Sequence, residues 1–183
     1  MLTFPELKIE AVKNFGDFGA WIFDEWKTLN ETFFGGENTA GEIIWGATPQ
    51  DRSLGYYSRT ENLIVLHKNL LRPINPTDSL KLDLNRINKR LVRDVLLHEM
   101  IHQRVHQTGG WLGETSHNND RFVEEVNRIA KLLGINIRGK VIQSKTVQGT
   151  TVRIAEPGCL NLQELSNFPY SSRNRNFYYE QSS

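Results

Sequence analysis

Apolar positions along this chain repeat with a helical period in three places and a strand-like period in between. From Phe18 to Phe34, FGAWIFDEWKTLNETFF sets Trp21, Ile22, Trp26, Leu29 and Phe33 at helical intervals. The spacing predicts a core-facing helix that Gly35-Gly36 terminates. The segments GEIIWGAT (41–48), SLGYYS (53–58) and NLIVLHKNLL (62–71) are rich in β-branched and aromatic residues and separated by polar turns. They predict a small antiparallel sheet, with Arg59-Thr60-Glu61 as a hairpin turn. After Pro73 and Pro76, the residues Leu84, Ile87, Leu91, Val95, His98 and His102 recur every three or four positions. That is one face of a helix, on which both histidines point toward the interior, ending at Gly109-Gly110.

A further helix is predicted from a cap at Asn119 or Asp120, with Phe122, Val126, Ile129 and Leu133 as its stripe and Gly134 as its stop. Residues 138–154 alternate loosely around Gln148-Gly149 like a hairpin, and 160–183 have the Asn- and Ser-rich composition of a flexible tail. Helical and strand-like segments together predict an α+β fold, with a small sheet packed on helices.

A chain of 183 residues with 38% hydrophobic content buries a core of its own and fits one domain. Its 22 basic and 21 acidic residues leave a net charge of +1, so no global field draws it to nucleic acid or membrane. The lone cysteine, Cys159, excludes an internal disulfide and a four-thiolate zinc ribbon. The N-terminus lacks the basic start and apolar run of a secretion signal, and nowhere do 18 apolar residues follow one another. These features predict a soluble, cytoplasmic protein without a membrane partner.

The chemistry concentrates in LLHEMIHQRVH, Leu96 to His106. His98-Glu99-Met100-Ile101-His102 is an HExxH pattern, in which residues four apart share a helix face and both imidazoles can reach one ion. Zinc suits them, accepting neutral imidazole at about 2.0–2.1 Å, with water completing three protein ligands in a catalytic site. Glu99, turned by about 100° from His98, faces that water and serves as the base that deprotonates it for attack on a peptide carbonyl.

The third ligand is less direct. His106 stands about 12 Å along a straight helix from His98, too far to share an ion, and is expected at the rim. His117 lies beyond the Gly109-Gly110 break and before the last helix, so a return of the chain brings it over the metal. Glu114, Glu124 and Glu125 are its rivals, and Asp120 is a candidate partner for a ligating imidazole. His67, in a predicted strand, is expected to be packed. Near the sheet edge, Gly55 permits close approach of a substrate strand, and Tyr56 or Tyr57 is a candidate substrate contact.

Taken in order, WIFDEW, FFGG, IIW, GYYS with NLIVLHKNLL, LLHEMIH, and His117 leading into FVEEVNRIAKLLG resemble the SprT-like, or Spartan-like, metallopeptidase domain. The resemblance covers about residues 18–135 and leaves 1–17 as an N-terminal extension, 136–159 as a basic hairpin and 160–183 as a tail. It implies a zincin-like α+β fold, His98, His102 and His117 as Zn2+ ligands, and Glu99 as catalytic base. It further implies an endopeptidase acting on protein or peptide substrates, in the best-known relatives on proteins trapped on DNA.

Two features depart from that pattern. The four-cysteine ribbon common among relatives is absent, and one extra residue stands between His117 and Phe122. A DNA partner then depends on Lys131, Arg138, Lys140, Lys145 and Arg153, with Arg173 and Arg175 beside the tail aromatics, a pattern that suits single strands. Two alternatives stand beside the peptidase: a nucleic-acid-binding module with a structural metal, and a protease toxin or regulator directed at one host protein.

Overall fold

The computed structural model describes residues 2–48, 53–72, 83–109, 120–132, 143–147 and 150–154. Residues 2–17, expected as an extension, contain helix α1, Phe4–Phe15. Its start is set locally: Thr3 N–H donates to the Glu6 carboxylate, the reciprocal arm of a capping box, and Pro5 sits in the first turn. Leu7 and Ala11 are buried against helix α2, Asp17–Phe34, which realises the predicted first helix almost residue for residue. Gly35, at φ 63°, ends α2 as expected, its N–H bonding Asn30 O.

Close approach of α1 and α2 depends on Gly19. A Cβ there would lie 2.1 Å from the Ala11 carbonyl oxygen, a main-chain atom that cannot swing aside. Gly19→Ala is therefore expected to cost about 1–3 kcal/mol, read as a lowered urea midpoint with an unchanged slope.

Strands β1 (Glu42–Gly46), β2 (Gly55–Ser58) and β3 (Leu63–His67) form one sheet in the order β1-β3-β2. The sheet is mixed, which corrects the antiparallel expectation: β2 runs antiparallel to β3, but β1 runs parallel to it. The reason lies in β3, where Ile64, Val65, Leu66 and His67 are all buried. A strand with no polar face takes the centre, which puts the β2–β3 hairpin on one side of it and β1 on the other. The hairpin turns through Arg59–Asn62, Asn62 standing at φ 50° in the left-handed region that asparagine tolerates. The third segment also ends sooner than expected, since Lys68–Leu71 close into a 3-10 turn rather than extending the strand.

Helix α3, Lys89–Gln107, starts where the Asn88 side chain accepts from Leu91 N–H at 3.1 Å, so Leu84 and Ile87 precede it rather than forming its first turn. It packs on α2, β2, β3 and α4, Asp120–Leu132. With neighbours on most sides, α3 buries eleven residues, and Val92, Val95, Leu96, Met100 and Ile101 meet Ile22 and Phe23 of α2 and Ile64 and Leu66 of β3 in one core. Phe122, Val126 and Ile129 are the buried stripe of α4, as predicted. Residues 143–147 and 150–154 form a hairpin of β4 (Gln143–Val147) and β5 (Thr150–Ile154), in which Lys145 pairs with Val152 and Arg153 with Ser144. Gly110, Leu133, Gly134, Arg138, Lys140, Cys159 and the tail lie outside the described residues.

Candidate metal centre and its base

His98 and His102 project from successive turns of α3 and are half-buried. Their ring centroids are 5.0 Å apart with planes at 75°. Two imidazoles sharing a tetrahedral ion at about 2.0–2.1 Å per nitrogen place their centroids roughly 5 Å apart, so the pair fits zinc in separation and chemistry. Phe122 of α4 lies against both, stacked on His102 at 4.4 Å and edge-on to His98 at 5.4 Å. The same face of α4 that closes the core thus forms an apolar wall for the imidazoles.

Glu99 turns the other way, into the interior, and is 5% exposed. It lies directly under β2: a Cβ at Gly55 would fall 2.6 Å from Glu99 Oε1 and 2.7 Å from Val95 Cγ1. Glycine at that position leaves the carboxylate its space. The role expected of Gly55 toward a substrate strand is thereby joined by one toward Glu99. Leu54 O accepts from His67 N–H across the ladder, and main-chain polarity alternates along a strand, so the N–H and C=O of Gly55 and Tyr57 face away from β3. Among the described residues no further strand pairs with that edge. The Tyr57 N–H faces the Glu99 carboxylate from that edge and favours its charged form. Burial pushes the Glu99 carboxyl up to about 8, and the Tyr57 N–H pulls the other way.

The two tyrosines part company. Tyr56 is 42% exposed beside the edge. Tyr57 is buried against α3, its hydroxyl 2.9 Å from His106 Nδ1 and 3.1 Å from Asn62 Oδ1, and burial pushes its phenol up to about 12. His106, expected at the rim, is half-buried and engaged with this phenol. His67 is packed as anticipated, its Nδ1 accepting from Asn69 N–H at 3.1 Å.

Of the other acids, Glu124 is exposed and Glu125 pairs with Arg128, so neither joins the imidazoles. His117 and Glu114 lie outside the described residues, and nothing is described of the Asp120 side chain. Among the described residues no third histidine, cysteine or carboxylate completes a metal group with His98 and His102.

Three residues escaped the sequence reading. Gln103, wholly buried, accepts from Trp26 Nε1 at 3.1 Å and donates to Asn62 Oδ1 at 2.9 Å. Asp94 is 4% exposed one turn before His98, its Oδ2 without a hydrogen-bond partner among the described residues; burial pushes it up to about 8 despite Arg90 and Arg93. Polar residues interrupting the apolar face of a helix were the available signal for Asp94 and Gln103. Asn62, at the turn, carried none. No protein-family model, curated protein or solved structure matches the chain. Among the described residues, no helix is long and apolar enough to cross a membrane.

Proposed function

We propose that this chain is a zinc-dependent endopeptidase of zincin-like fold, acting on unfolded or flexible protein segments. His98 and His102 are two of its zinc ligands, His117 is the third, and Glu99 is its general base. One observation carries the reading: a pair of imidazoles one helical turn apart at a separation that suits a shared ion, with the carboxylate that follows the first of them in sequence buried under a sheet edge that no further described strand covers. A metal that only held the fold together would need no base beside it. The resemblance to the SprT-like domain points the same way.

Zinc, when bound, supplies a Lewis acid that polarises the scissile carbonyl and acidifies a water. Glu99 takes a proton on its carboxylate from the attacking water and delivers it to the leaving nitrogen. The Tyr57 N–H, turned toward this carboxylate, favours its charged, proton-accepting form. Gly55 and Tyr56 border the edge on which an extended substrate would lie, its main chain bonding to the strand and its sequence largely unread. Phe122 excludes water from one side of the imidazoles.

Metal analysis tests the site directly. Wild-type protein dialysed against excess zinc and then against buffer is expected to retain about one ion per chain, the stoichiometry of a three-ligand site. His98→Ala and His102→Ala are expected to retain little and to cleave no unfolded protein. A zinc-free wild type after the same treatment would remove the proposal. Running the cleavage assay with and without single-stranded DNA separates a general peptidase from one that DNA licenses.

A further inference from the structure

We propose that Tyr57 and His106 are positioning residues that hold strand β2 in register with Glu99, a role that rests on the peptidase reading above. Tyr57 spans the distance between two functional points. Its strand covers the Glu99 carboxylate, with its main-chain N–H turned toward that group, and its hydroxyl reaches His106 two helical turns further along α3. Strand β2 therefore cannot slide along α3 without breaking one end of this bridge.

The far end is over-determined. Asn62 Nδ2 donates to Ala40 O at 3.2 Å and Thr39 O at 3.4 Å, which turns its Oδ1 toward Tyr57. That oxygen accepts from Gln103 Nε2 at 2.9 Å and Gln107 Nε2 at 3.3 Å as well as from the Tyr57 hydroxyl at 3.1 Å. A phenol has a single proton, and an amide oxygen only accepts. With that proton given to Asn62, the contact to His106 at 2.9 Å is a hydrogen bond only if Nδ1 carries a proton and donates to the Tyr57 oxygen. The Tyr57 hydroxyl and His106 Nδ1 thus share one hydrogen bond, and the tautomer of His106 sets which of them donates. Its spacing from His102 invites reading His106 as another ligand, but here it serves the strand over the base.

The pair acts on Glu99 only through Tyr57, so its loss should appear in turnover rather than in substrate affinity. Tyr57→Phe deletes one oxygen and keeps the ring, and is expected to lower kcat about 3- to 10-fold, the value of one hydrogen bond, with KM unchanged. His106→Ala should match it, and His106→Asn, which restores a donor, should recover most of the loss. In the zinc-free protein, the Tyr57 amide is expected to exchange with deuterium faster in Tyr57→Phe and His106→Ala, with the Ile64 and Leu66 amides unaffected.

The outcomes are separable. If wild type and Glu99→Gln are equally inactive, the peptidase reading falls, and the exchange rates together with the wild-type His106 nitrogen shifts still decide the bridge. Unchanged kcat in active Tyr57→Phe and His106→Ala, or faster exchange spread evenly over β2 and β3, would overturn it. So would nitrogen shifts showing a wild-type His106 whose Nδ1 makes no hydrogen bond, a measurement that needs no variant to fold.

Discussion

Glu99→Gln is expected to lower kcat on an unfolded protein substrate by about 10²- to 10⁴-fold, the range of a positioned general base, with zinc content unchanged. Glutamine has the shape of the residue it replaces, so it fits under Gly55, and its amide oxygen can still face the Tyr57 N–H. What it lacks is a site for the water proton. Measuring kcat together with bound zinc distinguishes the possible causes of a loss. Turnover within about twofold of wild type would remove Glu99 from the mechanism, and a parallel loss of zinc would make it a residue that supports the metal site.

The second large effect concerns stability and its pH dependence. Asp94 is buried with one oxygen unpartnered among the described residues, and its carboxyl stands at about 8 against an ordinary value of 3.8. With the folded value raised, the folded state binds more protons than the unfolded chain between these two pH values, and stability falls as pH rises through that window. The contribution is complete below about pH 3.8 and gone above about pH 8. Each unit corresponds to about 1.4 kcal/mol, so ionised Asp94 costs the fold on the order of 6 kcal/mol at most.

Asp94→Asn removes that ionisation. It is expected to stabilise zinc-free protein by about 1–2 kcal/mol at pH 5 and by more at pH 8, where the cost is fully developed. Urea unfolding at the two pH values checks this, and a gain that does not grow with pH would contradict it. Glu99, also raised to about 8, adds a slope of the same sign, so the variant flattens the profile only in part.

Legibility differed among the parts of this protein. Helix α2 was readable because its aromatic stripe and its Gly35 stop are local signals, and the α4 stripe of Phe122, Val126 and Ile129 was readable for the same reason. Helix α1 carries an equally local signal in the capping signature Thr3-Phe4-Pro5-Glu6, but it buries only Leu7 and Ala11, too short a stripe to stand out beside that of α2. Sheet direction was not readable. Three short apolar segments in succession suggest a meander, and only the burial demanded by Ile64 to His67 puts the last of them in the middle.

Taken alone, the sequence determined the pairing of His98 with His102 and the offset of Glu99, because residues one turn apart on a helix have their relation set by 1.5 Å and about 100° per residue. It also determined that the fold mixes helices with a small sheet. The tertiary structure alone decided that Gly55 makes room for Glu99, that the Tyr57 hydroxyl meets His106, and that Asp94 is sealed from water. Each of these joins a residue to a different element or to the packed interior. Hydrophobic periodicity tells which face of an element is buried, but only packing tells what that face meets.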